Sequence, residues 1–201
     1  MTYQAARQAG ASGAPLLITA HGTGGTEAQF HALGSELVPG AHVVSPRGDV
    51  DEAGHLRFFR RTGEGVYDMA DLARATAKMA GFIEAEQART GATETIALGY
   101  SNGANILAAT AMAHPDLIDR LILFHPLIPW SPDPQPGLGG TQVLVTAGER
   151  DPICPAPLTR SYLAWLRAQG AEVTEHWHAG GHELRPEELQ AAQALLGPSP
   201  G

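Results

Sequence analysis

The segment Gly99-Tyr100-Ser101-Asn102-Gly103 constrains this chain more than any other, because it joins an apolar run to an alanine-rich stretch. Residues 93–98 predict a β-strand and residues 102–113 predict a helix. A G-x-S-x-G pattern at such a junction places the serine on a sharp turn, with its hydroxyl above the edge of a sheet. We therefore predict that Ser101 is a nucleophile. The alternative is an ordinary strand–helix turn that carries a surface serine.

Apolar runs of strand length alternate with helical periodicity along the whole chain. The predicted strands are residues 15–20, 41–45, 93–98, 120–125, 141–146 and 171–176, and the predicted helices are residues 27–37, 66–89, 102–113, 158–169 and 186–196. This alternation predicts an α/β fold with a mostly parallel central sheet, helices on both faces and no large lid domain.

The length of 201 residues suits a single domain over residues 1–201, with residues 197–201 expected to form a mobile tail. Two stretches are expected to be long loops at the carboxyl edge of the sheet. They are residues 46–65 and residues 126–140, the second of which holds five prolines. Ligands in open α/β sheets bind at this edge, so both loops are candidates for a binding site.

Charge and composition exclude several functional classes. The net charge of −8 argues against binding of nucleic acid, which usually needs a basic surface. The single cysteine, Cys154, cannot build an internal disulfide framework. No apolar run has the length of a membrane span, and the first residues lack the pattern of a signal peptide. We therefore expect a cytoplasmic protein that is a monomer or a homodimer and acts on a small molecule.

A nucleophilic serine needs a base and an acid that orients the base, in the chain order serine, acid, histidine. Asp151 follows the strand predicted to end at residue 146, and His182 follows the last predicted strand. Both are therefore expected at the same sheet edge as Ser101. Glu149 and Asp133 are competing acids, but Asp151 precedes a proline, which favours an extended, exposed turn. A turn-forming aspartate and a core histidine are the alternatives for these two positions.

An oxyanion needs hydrogen-bond donors that are already in place. The N–H of Asn102 is one candidate, because Asn102 follows the predicted nucleophile at a helix start. The N–H of Thr23 is the other, because residues 21–25 form a glycine-rich turn after the first apolar strand. A phosphate-binding loop is a poor alternative for this turn, since the G-x-x-x-x-G-K-[ST] pattern is missing.

The loop over residues 46–65 predicts a substrate site. Phe58 and Phe59 would hold an acyl or aryl group, and a flanking arginine would bind a carboxylate or phosphate. The candidates are Arg57, Arg60 and Arg61, of which Arg60 is named as the substrate residue while the choice among the three stays open. Pairing of the arginines with acids such as Glu64 is an equal alternative. Two further aromatic residues are expected either in the pocket or in the core, and they are Trp130 and Trp177.

Nine histidines raise the question of a metal site. His176 and His178 share one face of an extended strand and, with His182, would give three ligands. No cysteine cluster or second carboxylate supports such a site, so we expect no metal ion. Cys154 is expected near Asp151, as a small apolar filler rather than a nucleophile.

Five motifs together carry a family resemblance. HGTGG, SPRG followed by RFFRR, GYSNGAN, GERDPICP and GGHEL resemble the small carboxylesterase/phospholipase-like serine hydrolases of the α/β-hydrolase superfamily, in particular bacterial hydrolases associated with hydroquinone and quinone stress. The resemblance extends over residues 16–196. It implies Ser101, Asp151 and His182 as a catalytic triad, and Thr23 and Asn102 as an oxyanion hole.

The resemblance also implies an activity. It indicates a serine carboxylesterase that hydrolyses small carboxylic esters through an acyl-enzyme, without a cofactor. A thioesterase or a lysophospholipase with the same triad is the alternative reading. A non-catalytic binding protein on the same fold is a more remote one.

Overall fold

The computed structural model describes residues 2–197, so positions 198–201 of the predicted mobile tail lie outside the described residues. The strands are β1 (Ala5–Gln8), β2 (Leu16–Ala20), β3 (His42–Pro46), β4 (Val50–Glu52), β5 (His55–Arg57), β6 (Arg61–Gly63), β7 (Val66–Tyr67), β8 (Thr95–Tyr100), β9 (Arg120–Phe124), β10 (Gln142–Gly148) and β11 (Glu172–His178). The helices are α1 (His31–Leu37), α2 (Met69–Thr90), α3 (Asn102–Ala113), α4 (Ala156–Ala168) and α5 (Pro186–Leu196).

Seven of these strands form one sheet in the order β1-β3-β2-β8-β9-β10-β11. Every neighbouring pair is parallel except β1 with β3, which is antiparallel. All six strands predicted from apolar runs are present in this sheet. The edge strand β1 was not predicted, because its sequence, AARQ, has neither an apolar run nor alternation.

The helices cover both faces of the sheet because successive side chains of a strand point to opposite sides. Leu16 and Ile18 of β2 belong to a core cluster with residues of α2, α3 and α4, whereas Leu17 belongs to a second cluster with residues of α1 and α5. The predicted α/β architecture is thus confirmed. Within residues 2–197, none of the helices combines the length and the apolarity needed to cross a lipid bilayer.

The two predicted long loops contain short regular elements. Residues 46–65 include the hairpin β4–β5 and the first strand of the hairpin β6–β7, which is completed by Val66 and Tyr67. The latter pairing explains why α2 begins at Met69 rather than at the predicted Val66. Asp68 then caps α2, since its carboxylate accepts a hydrogen bond from the Asp71 N–H at 3.0 Å. The second loop contains one turn of 3₁₀ helix, Pro136–Leu138.

The turn between β8 and α3 depends on a close approach of backbone segments. A Cβ at Gly99 would lie 2.6 Å from the carbonyl carbon of Gly103. A Cβ at Gly103 would overlap the carbonyl oxygens of Ala20 and His21, at the end of the neighbouring strand β2. The contacting atoms belong to the backbone of a buried strand, so they cannot rotate away as a flexible side chain would. The two glycines therefore allow α3 to start directly against the sheet.

We predict that Gly103→Ala lowers the free energy of unfolding by about 1–3 kcal/mol, because the added methyl group must displace buried backbone. Gly81→Ala is the matched control, since Gly81 lies inside α2 and a Cβ there meets nothing within 4 Å. This control should raise stability by about 0.5–1 kcal/mol through helix propensity. Urea denaturation followed by circular dichroism measures both. Equal effects of the two substitutions would contradict the steric argument.

Candidate active site

Ser101 occupies a backbone conformation that side-chain-bearing residues rarely adopt. Its φ of 52° and ψ of −116° lie outside the common regions for L-residues. Such a conformation costs about 1–3 kcal/mol and persists only where the surroundings over-determine it. Here the Ser101 N–H donates to the Phe124 carbonyl at 2.9 Å, and the Ser101 carbonyl accepts from the Asn105 N–H at 2.9 Å. The turn thus holds the serine hydroxyl at the carboxyl edge of the sheet.

Three side chains from distant parts of the chain meet at this edge in a line. The Ser101 Oγ lies 2.8 Å from His182 Nε2, and His182 Nδ1 lies 2.7 Å from Asp151 Oδ2. An imidazole nitrogen that faces a carboxylate carries the proton, so Nδ1 donates to Asp151. Nε2 is then the nitrogen that accepts the hydrogen bond from the serine hydroxyl. The structure therefore brings together the three residues predicted as nucleophile, base and acid.

Asp151 is fixed by the turn that follows β10. Its Oδ1 accepts hydrogen bonds from the N–H groups of Ile153 and Cys154, at 2.8 and 2.9 Å. Burial alone would raise the pKa of this carboxyl. The hydrogen bonds from His125, His182 and the Cys154 N–H outweigh that effect and lower the pKa well below its usual range. Asp151 is therefore an anion that faces the base.

The two competing acids are elsewhere. Glu149 is exposed, and its N–H donates to the His178 carbonyl at 2.8 Å. Asp133 is also exposed and borders a surface groove beside α2 and the end of α3. Neither of them is within hydrogen-bond distance of His182.

Tyr100 supports the histidine. Its hydroxyl donates to the His182 carbonyl at 2.6 Å, and its ring centroid lies 5.3 Å from that of the imidazole. Burial raises the pKa of Tyr100 to about 12, so the hydroxyl keeps its proton and remains a donor. The residue directly before the elbow serine thus holds the loop that carries the base.

Both predicted oxyanion donors border one cavity beside Ser101. Asn102 is the first residue of α3, so its N–H has no carbonyl of its own helix to bond. Thr23 is exposed on the turn after β2, and its Oγ1 accepts a hydrogen bond from Arg57 Nη1 at 2.7 Å. Both residues thus border the cavity next to Ser101, and their assignment as oxyanion donors remains a prediction.

His21 joins the Thr23 turn to the loop after β3. Its Nε2 accepts from the Gly48 N–H at 2.9 Å, and its Nδ1 donates to the Gly22 carbonyl at 2.7 Å. Burial lowers the pKa of His21, which favours the neutral form that these two bonds require. This histidine therefore keeps the first glycine-rich turn in place.

The cavity beside Ser101 has a volume of about 290 Å³. One wall is built by a group of mutual hydrogen bonds: Asn105 Nδ2 donates to the Tyr67 hydroxyl at 2.8 Å, and this hydroxyl donates to the Leu127 carbonyl at 2.9 Å. The Leu127 N–H in turn donates to Asn105 Oδ1 at 2.6 Å. The lining residues are Thr23, Arg57, Arg61, Glu64, Gly65, Tyr67, Tyr100, Ser101, Asn102, Asn105, Leu127, Ile153, Cys154 and His182.

The prediction that Phe58, Phe59 and Arg60 line the substrate site is wrong. Phe58 and Phe59 are both fully buried, and neither borders the cavity. The Phe58 N–H donates to Asn102 Oδ1 at 2.8 Å, which turns this short segment into the core. Arg60 is exposed outside the cavity, whereas its neighbours Arg57 and Arg61 line it. The sequence pattern therefore identified the right segment and two of its three candidate arginines, Arg57 and Arg61, but not the side chains of Phe58, Phe59 and Arg60.

The two tryptophans also lie outside the cavity. Trp130 packs behind the wall, with its ring centroid 6.0 Å from that of Tyr67. Trp177 is on the edge strand β11, where the Arg160 guanidinium from α4 lies 4.4 Å from its ring centroid. Both are half-buried against the core, so for each of them the alternative of core packing is the correct one.

The three histidines considered as metal ligands do not act together. His176 borders a groove between β11 and α5, whereas His182 contacts Ser101 and Asp151. His178 Nδ1 accepts from the Gly180 N–H at 3.0 Å, so the His178 proton is on Nε2. Another group with closely spaced donor atoms is His125, His178 and Glu188. A metal ion there would need an unprotonated His178 Nε2 as a ligand. The hydrogen bond from the Gly180 N–H to Nδ1 leaves the proton on Nε2, so this nitrogen does not fit the role.

Comparison with known proteins identifies the family. Protein Atu2452 of unknown function from Agrobacterium tumefaciens str. C58 is 52% identical, with a TM-score of 0.92 over 96% of this chain and 95% of that one. The hydrolase MhqD of Bacillus subtilis (strain 168) is 38% identical over 180 residues, which are 89% of this chain and 90% of MhqD. The chain belongs to the α/β-hydrolase family. The carboxylesterase of Bacillus cereus is 32% identical, with a TM-score of 0.89 over 96% and 93% of the two chains.

No family model matches the chain. The resemblance seen in the five sequence motifs is confirmed all the same, because the α/β-hydrolase relatives cover nearly the whole chain. This α/β-hydrolase therefore has the fold in which a triad at the carboxyl edge is expected.

Sequence reasoning missed several residues that shape the site. Tyr100 supports His182, and His125 lies behind Asp151. His125 follows β9, whose end lies at the same edge as the ends of β8 and β10. A titratable residue at that position was a usable signal. Glu188 gave no such signal, because a glutamate in the first turn of a helix is common on any surface.

We predict that Cys154 reacts very slowly with a disulfide reagent in the folded protein. The thiol is buried and donates to the His125 carbonyl at 3.2 Å, and burial together with the Asp151 charge raises its pKa. Reaction with 5,5′-dithiobis(2-nitrobenzoate) should be about 100-fold slower in buffer than in denaturant. Rapid modification of the native protein, at the rate of the denatured control, would contradict this placement.

Proposed function

We propose that this α/β-hydrolase hydrolyses small carboxylic esters through an acyl-enzyme on Ser101. The observation that carries the proposal is the unbroken hydrogen-bonded line from the Ser101 hydroxyl through His182 to the buried Asp151 carboxylate. This line ends at a cavity that also borders the first N–H of a helix. A nucleophile, a base, an orienting acid and a place for an oxyanion are thus within reach of one another.

The first half of the reaction forms the acyl-enzyme. Ser101 Oγ attacks the ester carbonyl carbon while His182 Nε2 takes the hydroxyl proton. Asp151 holds the His182 tautomer and stabilises the imidazolium that results. The N–H groups of Thr23 and Asn102 receive the developing oxyanion. His182 then gives its proton to the leaving alkoxide, the C–O bond breaks, and the alcohol departs.

The second half releases the acid. His182 takes a proton from a water molecule, which attacks the acyl carbon, and the oxyanion again lies at the two N–H groups. The bond from the carbonyl carbon to Ser101 Oγ then breaks, and the proton returns to the serine. No cofactor is needed for either half.

The small cavity supports small substrates. Its volume of about 290 Å³ lies at the lower end for ligand pockets. A long acyl chain would extend beyond it, which argues against a lysophospholipase. A thioesterase would use the same chemistry, since a thioester carbonyl is attacked in the same way. The relatives support the ester reading, because one of them is a carboxylesterase.

We predict that Ser101→Ala abolishes ester hydrolysis, with kcat falling by about 10⁶-fold. Hydrolysis of 4-nitrophenyl acetate measures this loss, and circular dichroism verifies the fold. Asp151→Asn should lower kcat by about 10⁴-fold, because the amide would hold the wrong imidazole tautomer. Wild-type turnover in the Ser101 variant would overturn the assignment of the nucleophile.

A fluorophosphonate probe separates this proposal from the non-catalytic alternative. The wild-type protein should be labelled covalently, and the Ser101→Ala protein should not. A panel of matched esters and thioesters then decides between an esterase and a thioesterase. A cytoplasmic location and a monomeric or homodimeric state remain predictions, and gel filtration of the purified protein measures the oligomeric state.

Arg57 points to an ester that also carries a carboxylate. Its side chain is only 5% exposed, and its Nη1 binds the Thr23 hydroxyl. The nearest carboxylate oxygen, Glu52 Oε2, is 3.8 Å away, and Glu52 is hydrogen-bonded to Arg61 instead. The positive charge of Arg57 at the cavity wall is therefore only partly compensated, which favours an anionic substrate group.

We predict that Arg57→Gln lowers kcat/KM for mono-4-nitrophenyl succinate at least about tenfold more than for 4-nitrophenyl butyrate. Both values should fall, because Thr23 loses a hydrogen bond, so the ratio of the two is the relevant quantity. Arg60→Gln is the matched control, since Arg60 is exposed outside the cavity. Equal losses on the two esters would remove the role in anion binding.

A further inference from the structure

His125 is a fully buried histidine directly behind the acid of the proposed triad. It follows β9 with a φ of 51°, and its N–H donates to the Thr146 carbonyl at 3.0 Å. Its own carbonyl accepts from the Cys154 thiol. The backbone is thus fixed in an unusual conformation that directs the imidazole between β10 and α5. The mechanism described above makes no use of this side chain.

Each nitrogen of the His125 ring faces a carboxylate. Nδ1 lies 3.1 Å from Asp151 Oδ2, the same oxygen that His182 contacts. Nε2 lies 2.9 Å from Glu188 Oε1, in an ion pair in which both side chains are fully buried. A neutral imidazole would leave one of these carboxylates facing an unprotonated nitrogen, whereas an imidazolium carries a proton on both nitrogens. The contact of Nε2 with Glu188 is a close ion pair rather than an aligned hydrogen bond, and the two short distances together favour the charged form.

Glu188 is held as an anion by three further elements. Its Oε1 accepts from the Thr146 hydroxyl at 2.5 Å, and its Oε2 accepts from the Arg185 N–H at 2.6 Å. His178 Nε2, which carries a proton, lies 3.5 Å from Oε2. The contacts with Thr146, Arg185 and His125 outweigh the burial that would raise the pKa of Glu188, and the pKa is lowered.

The remaining titratable groups around His125 are Tyr100, His178, His182 and Cys154. Tyr100, with its ring centroid 6.0 Å away, keeps its proton because burial raises its pKa. The ring centroids of His178 and His182 are 5.3 and 5.2 Å away; His178 Nδ1 accepts from the Gly180 N–H, and His182 Nδ1 donates to Asp151. Cys154 remains a thiol. Asp151 and Glu188 are therefore the two charges that act on His125.

We propose that His125 is a positioning residue of the triad, a buried imidazolium that links Asp151 to Glu188 and holds the Asp151 carboxylate in line with His182. The inference rests on the proposed function, because it assigns a role relative to the proposed base. The positive charge offsets that of Glu188, so Asp151 keeps one net negative charge to stabilise the His182 imidazolium. The hydrogen bond from His125 also draws electron density from Asp151 Oδ2, which limits the basicity of His182.

The balance of burial and charge agrees with this geometry. Burial opposes protonation of His125, but the hydrogen bonds and charges of Asp151 and Glu188 outweigh it and raise the pKa to about 9. The imidazolium therefore persists over the pH range in which a triad histidine titrates. Removal of one member of such a buried group of three charges strongly destabilises the folded protein, because the remaining charges are no longer compensated.

His125→Asn is the variant that tests the charge. Asparagine tolerates a positive φ and keeps an N–H donor near the position of Nδ1, but it has no charge. We expect the acidic limb of the kcat/KM profile for 4-nitrophenyl acetate to move up by about half a pH unit or more, since the base no longer feels a neighbouring cation. The double variant His125→Asn/Glu188→Gln removes both charges and should recover part of the stability lost in the single variant.

Glu86→Gln is the control for removing a buried carboxylate elsewhere. Glu86 is paired with Arg7 and Arg89, which are not site residues, so this variant should lose stability without moving the acidic limb. If the acidic limb of the kcat/KM profile lies at the same pH in His125→Asn as in the wild type, whatever the level of activity, His125 has only a structural role and the proposal is overturned.

Nuclear magnetic resonance of histidine-labelled protein gives a readout that needs no activity. His125 should remain protonated to above pH 8 in the wild type and titrate at lower pH in Glu188→Gln. A neutral His125 at pH 7 in the wild type would overturn this inference while ester hydrolysis persists. Loss of the proposed function itself would appear differently, as a wild-type protein that neither hydrolyses esters nor reacts with a fluorophosphonate.

Discussion

The site depends on the contact between the start of α3 and the end of β2. Gly103 lies against the carbonyl oxygens of Ala20 and His21, so the helix begins without a side chain between it and the sheet. This contact determines the φ of Ser101, because the chain has to leave β8 and enter α3 within one residue. The strain at Ser101 is therefore sustained by backbone packing between the start of α3 and the end of β2 rather than by any interaction of the serine side chain.

Prediction from the sequence succeeded wherever the topology of a parallel sheet determines the answer. The ends of β8, β10 and β11 must lie at one edge, so residues that follow them closely are brought together regardless of their distance in sequence. Ser101, Asp151 and His182 are placed in this way, and the order of the strands together with the G-x-S-x-G motif indicated it. The same reasoning applies to His125, which follows β9, although no sequence motif includes this residue.

Prediction failed in the segments without periodicity. Residues 46–65 were expected to be a loop, and a loop sequence does not indicate which side chains face a cavity. The hairpins β4–β5 and β6–β7 decide this, because alternate residues of a strand point to opposite sides. Phe58 and Phe59 lie just after β5, and the hydrogen bond from the Phe58 N–H to Asn102 turns this segment into the core, so that Arg57 and Arg61 reach the cavity while Arg60 does not.

Chemistry and specificity are thus supplied by different parts of the chain. The proposed catalytic side chains and their supporting network come from the ends of core strands and from α5, where Glu188 both caps the helix and contacts His125. Part of the cavity wall comes from the small hairpins outside the sheet, which supply Arg57, Arg61, Glu64, Gly65 and Tyr67. A change such as Arg57 to another residue therefore alters the chemical character of the cavity, while a change at His125 or Glu188 alters the charge balance on which the base depends. Substrate preference is expected to vary more readily than the reaction. The reaction depends on the packing of the sheet, whereas substrate preference does not.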